Sequence, residues 1–75
     1  MSVFILSDVA HYDGSETLAV FDSLEKAQAS ALDRLKLAGS AHKDKKTLTW
    51  QQFENWWRHD YASMSSYLIE EFEIQ

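Results

Sequence analysis

Seventy-five residues with a formal charge of −5, 45% hydrophobic and 13% aromatic residues and no cysteine set the limits of this chain. Without cysteine there is no disulfide and no thiolate zinc site. The acidic balance disfavours direct nucleic-acid binding, which normally uses a basic face, and no run approaches the roughly 18 apolar residues of a membrane span.

A domain this small buries only about 60–65% of the surface that its unfolded chain exposes. Lacking disulfides, its core has to come from many large side chains per unit length. One α+β domain over residues 1–75 is expected. The absence of cysteine and of a basic leader before "VFIL" points to a cytoplasmic setting.

Val3 to Val9 reads as a strand, with Val3, Ile5 and Val9 on one face and Phe4 and Leu6 on the other. Apolar residues on both faces predict an interior strand. Asp13-Gly14 supplies a turn signal, and Thr17 to Phe21 returns as the second strand of a hairpin. Ser23 reads as a helix N-cap, with Asp22 and Glu25 placing negative charge at the helix start. The helix runs to about Ala38, and Gly39 is the expected C′ residue. Its stripe of Leu24, Ala27, Ala31, Leu35 and Ala38 is mostly small, which allows close approach to a sheet. The segment "GSAHKDKK" (39–46) reads as a solvated loop.

The stretch "TWQQFENWWRHDY" (49–61) contains all three tryptophans. Thr49 and Gln52 have the spacing of a capping box, and Leu48 with Phe53 that of a hydrophobic staple. These features predict a second helix over about Trp50 to Met64, burying Trp50, Phe53, Trp57, Tyr61 and Met64 as a narrow stripe. Trp56 falls outside that stripe.

"SYLIEEFEIQ" (66–75) is predicted as a final strand, with Leu68, Glu70, Phe72 and Ile74 on one face and Tyr67, Ile69, Glu71 and Glu73 on the other. The expected fold is therefore β-β-α-α-β: a three-stranded sheet in the order 2-1-3, strand 1 central, with two helices on one face. The direction of the last strand is left open.

Asp8, His11 and Asp13 are hard or borderline ligands within six residues, but a strand and a turn do not bring them together, and no metal or cofactor is expected. His59 and Asp60, as neighbours on a helix, would not face one another. Two glycines leave no phosphate-binding loop, and a pocket of useful volume is hard to build at this size, so the expectation is a non-enzymatic protein. A charge of −5 with seven basic residues interspersed is thin for a mimic of DNA phosphates. Protein binding is the better fit.

Tryptophan, tyrosine and arginine are favoured interface anchors. The candidate partner-binding residues are Trp56, Arg58, His59 and Tyr12, together with Glu71 and Glu73, whose carboxylates would meet a basic surface on the partner. A core-edge role for Trp56, covering the 39–47 loop, competes with this. Self-association as a homodimer is the alternative to a larger partner.

The stretches "VFILSDVAHYDG", "AVFDSLEKAQASAL" and "YLIEEFEI" resemble a group of small phage and prophage proteins of unknown function. In that group a hairpin leads into a helix opened by a Ser-x-Glu-Lys-Ala-like stretch, and the chain ends in a strand of alternating glutamate and apolar residues. The tryptophan-rich segment lies outside the resemblance. It implies an origin on a mobile element, where small acidic proteins often inhibit host defence, anti-CRISPR proteins among them. The implied role is an inhibitor that occludes a site on a host protein or complex in the host cytoplasm.

Overall fold

A computed structural model describes residues 1–10, 14–38 and 46–74. The element order is β1 (Ser2–Ala10), β2 (Gly14–Phe21), α1 (Leu24–Ala38), β3 (Gln51–Phe53), β4 (Trp56–Ala62) and β5 (Ser65–Glu73). All five strands form one antiparallel sheet in the order β2-β1-β5-β4-β3. The described residues therefore form five strands and one helix, not three strands and two helices.

The first half of the chain follows its local signals. Gly14 has φ 80°, a conformation that glycine adopts without steric cost, and it opens β2. Between Leu6 and Ser7 the β1–β2 register shifts by one residue of β2. Leu18 is the extra residue, and it packs against the core. The Ser23 side chain accepts a hydrogen bond from the Lys26 amide at 3.2 Å, which caps α1. Ala27, Ala31 and Leu35 are buried on the sheet. The predicted C′ residue, Gly39, and most of the predicted 39–46 loop lie outside the described residues.

The second half departs from the helix prediction. Residues 51–62 form a hairpin, with Gln51, Gln52 and Phe53 opposite Arg58, Trp57 and Trp56. Its two-residue turn is Glu54-Asn55, and Glu54 takes φ 46°. The Asn55 side-chain amide donates to the Glu71 carbonyl at 3.2 Å, and the Glu71 amide donates to the Asn55 carbonyl at 2.9 Å. The turn is thus fastened to β5.

Three physical reasons favour strand over helix here. Tryptophan, phenylalanine, tyrosine and histidine are indifferent helix formers, and the aromatics among them are strong strand formers. The predicted capping box and staple had no long-range support, whereas Leu48 packs on the core and Phe53 stacks on Trp56. A sheet ending at the C-terminal strand would leave a nine-residue edge bare; β4 covers it, from Trp56↔Glu70 to Ala62↔Ser65. The central strand is therefore β5, and β1 lies between β2 and β5.

Helix α1 packs mainly on β1, β2 and β5. Beneath it lies the core of Leu6, Ala27, Ala31, Leu35, Trp57, Tyr67 and Ile69, edged by Phe4, Leu24, Leu48, Trp50 and Tyr61. The shortest dimension is 19 Å, enough for a helix on a sheet but not for a third layer packed about 10 Å beyond the sheet. Among the described residues, α1 lies on one face of the sheet and no element covers the other.

Candidate functional site

Strand alternation divides the sheet residues between the two faces. In β4, Trp57, His59 and Tyr61 face the helix, while Trp56, Arg58 and Asp60 face the open side. Adjacent tryptophans that a helix would separate by about 100° are here about 180° apart. Trp57 is 8% exposed, with its ring centroid 6.0 Å from that of Phe4. Trp56 is half-buried on the other face and stacks on Phe53 at 4.4 Å with planes 17° apart.

The register aligns the open face in rows. One row crosses all five strands: Val20, Ile5, Glu70, Trp56, Phe53. Val20 is 57% and Phe53 42% exposed at its two ends. Glu70 stands in the middle, on the central strand, between Ile5 and Trp56 and flanked along β5 by Leu68 and Phe72. Among the described residues no cationic group lies within salt-bridge distance of Glu70. The next row is more polar: Thr17, Ser7, Leu68, Arg58, Gln51. A recess of about 310 Å³ opens between Val9, Trp56, Arg58, Ser66 and Leu68.

Arg58 is held in place. Its Nε donates to Asp60 Oδ1 at 2.8 Å, and the Ser66 hydroxyl donates to the same oxygen. The Ser66 hydroxyl and then the Arg58 guanidinium hold the Asp60 carboxyl below the usual carboxylate range. A carboxylate so stabilised is a poor proton acceptor. Its effect is to orient the guanidinium through Nε, and among the described residues no acceptor takes up the remaining N–H groups.

The predicted site residues are thus distributed rather than gathered. Trp56 and Arg58 share the open face. His59 lies on the helix side, where its Nδ1 donates to the Thr49 carbonyl at 2.8 Å and its ring lies 5.8 Å from Trp50. Its Nε2 is buried, with no hydrogen-bond partner among the described residues. Glu71 and Glu73 fall on the helix side of β5, opposite Phe4 and Ser2. Tyr12 lies outside the described residues. Phe53, Glu70, Ile5, Val20 and Phe72 extend the open face; period-two alternation through "WWRHDY" is the signal that separates Trp56 from Trp57, and the two-residue turn is what brings Phe53 opposite Trp56.

No group of three or more His, Asp or Glu side chains comes together in metal-binding fashion among the described residues. Asp8 instead accepts a hydrogen bond from the Tyr61 hydroxyl at 2.7 Å, while His11 and Asp13 lie outside the described residues. No described helix is long and apolar enough to cross a membrane.

Tyr61 is the extra residue where the β4–β5 register shifts, and it meets Tyr67 at 4.5 Å on the helix side. Burial first, then its bond to Asp8, pushes its hydroxyl from 10.0 up to about 12. Burial also raises Tyr67, with the Asp8 charge adding to it. Ionisation is thus easier in the unfolded chain. The tyrosine contribution to stability is present below pH 10 and is lost as pH rises towards 12. Urea midpoints should fall over that range, and Tyr61→Phe should flatten the fall; an unchanged slope in Tyr61→Phe would contradict the assignment.

The chain belongs to the DUF7336 family: the model of that family, a domain of unknown function, matches residues 1–75. No curated protein and no solved structure matches the chain at a significant level.

Proposed function

We propose that this DUF7336 domain is a non-enzymatic protein-binding module that docks another polypeptide on the open face of its sheet. One observation carries the reading: the apolar row Val20–Ile5–Glu70–Trp56–Phe53 crosses the whole uncovered face. Scattered exposed apolar residues are ordinary, but a contiguous patch marks an interaction surface. Stacked Trp56 and Phe53 are pre-ordered, so less side-chain freedom is lost on binding. Arginine and tryptophan side by side have the composition of an interface anchor.

A flat face of this kind covers a functional site on a larger partner by simple occlusion, the inhibitory role implied by the mobile-element resemblance, or it pairs with its own copy. The placement of Arg58 and Glu70 favours the second arrangement.

The test is quantitative affinity purification of the tagged chain from its own host, with self-copies and other proteins counted separately. Proteins enriched by the wild type should be lost with Trp56→Ala and kept with Lys36→Ala, a change at an exposed position of α1. Circular dichroism should show both variants folded. If folded Trp56→Ala retains the same proteins at the same level, docking on this face is wrong.

A further inference from the structure

We infer that the occupant of the open face is a second copy of this chain, packed sheet to sheet about a two-fold axis; this rests on reading the open face as a docking surface.

The charges on the face support a self-complementary pairing. The chain carries −5 overall, yet the open-face strand positions carry only Glu70, Asp60 and Arg58 as charged residues. Most of the excess negative charge therefore lies elsewhere, and the face itself is close to neutral. It holds one carboxylate, Glu70, that meets no cation among the described residues, at the centre of the apolar row. It holds one oriented guanidinium, Arg58, one row away on the neighbouring strand. Arg58 uses Nε on Asp60, and its Nη groups are available to a second acceptor.

A two-fold interface brings residue i against j and j against i. An axis lying between the sheets, midway between the two positions, places Arg58 of each copy over Glu70 of the other. Both charges are then met twice with one geometry. Within a single chain, by contrast, Arg58 is committed to Asp60 and the only other described ion pair is the exposed Lys26–Asp22.

The dimensions also suit a second copy. At about 3.4 Å per residue along strands and about 4.8 Å between them, the five strands offer a flat footprint of about 600 Å². Side-chain relief raises the accessible area towards the roughly 800 Å² that each partner contributes to a standard interface. The twisted sheets would pack about 10 Å apart in the manner of a sandwich, turning a helix-on-sheet molecule 19 Å thick into four layers. The recess beside Trp56 and Arg58, about 310 Å³, has room for one large apolar side chain from the other copy.

Charge reversal tests this with purified protein and no other partner. In sedimentation equilibrium over micromolar to millimolar concentrations, the wild type should approach twice the 8.7 kDa chain mass. Glu70→Arg alone and Arg58→Glu alone should each weaken self-association by at least about tenfold. An equimolar mixture of the two variants should recover the dimer, because the first then offers two arginines to the two glutamates of the second. Val20→Lys, at the exposed end of the row, should also weaken it while leaving the circular dichroism spectrum unchanged. The inference is overturned by a wild type that stays at 8.7 kDa throughout, by variants that associate as the wild type does, or by a mixture that stays monomeric. In the first case, Trp56-dependent capture of another protein would still uphold docking on this face, so the two readings fail separately.

Discussion

Trp57→Ala should remove most of the stability of this domain. Trp57 is the largest side chain of the buried core, 8% exposed, and lies opposite Ile69 and against Phe4. Truncating a buried tryptophan costs about 3–5 kcal/mol. At roughly 0.05–0.15 kcal/mol per residue, a domain of this length has only about 4–11 kcal/mol in all. Urea titration followed by circular dichroism should show either no cooperative transition or a strongly lowered midpoint. Measured where the chain is monomeric, Trp56→Ala, one residue earlier, should lose much less, because its ring lies on the open face. Equal losses from the two would mean that both faces are packed.

Ile69→Ala is the second large effect. Ile69 is fully buried on the central strand and is paired with Leu6 on one side and Trp57 on the other. The gap left between two neighbouring strands and α1 has little means of collapse, and a loss of about 2–5 kcal/mol is expected. Leu68→Ala removes the same number of carbons from the adjacent position, which lies on the open face. Measured at concentrations where the chain is monomeric, it should cost distinctly less. The contrast between neighbours isolates the effect of face from that of strand, sequence position and side-chain size.

Local chemistry made the first 38 residues legible. Alternation in "VFIL" and the Ser23 cap are each satisfied within a few residues, and Gly14 takes the positive φ expected of it, while Asp13 lies outside the described residues. The segment from 49 to 64 was not legible in the same way. Its capping box and helical stripe are local signals, and they lose to a non-local gain: pairing β4 along β5 satisfies a row of backbone groups and lets two adjacent tryptophans serve two faces. The turn that makes this work is Glu54-Asn55, which has no glycine to announce it.

The site followed the fold. On a helix over 50–64, Trp56 is only a residue off the stripe, and its surface neighbours are those near in sequence, His59 among them. As a strand, the same residue is joined by Phe53 and Arg58 at alternate or paired positions, and by Glu70 from β5. His59 turns to the other side and bonds Thr49. Glu70 gained its importance only from register: as one of three glutamates in a terminal strand it reads as a solvated charge, but between Ile5 and Trp56 it is the centre of an apolar row.

Residues 51–62 form an antiparallel hairpin that puts Trp56 and Trp57 on opposite faces of one sheet. Nuclear Overhauser contacts in the isotope-labelled chain test it most directly. The structure predicts cross-strand backbone contacts between Gln51 and Arg58 and between Trp57 and Ile69, with aromatic contacts from Trp57 to Phe4 and from Trp56 to Phe53. Continuous amide–amide contacts and Hα to Hβ contacts three residues on, running from Trp50 to Met64, would show a helix there and contradict the open face altogether.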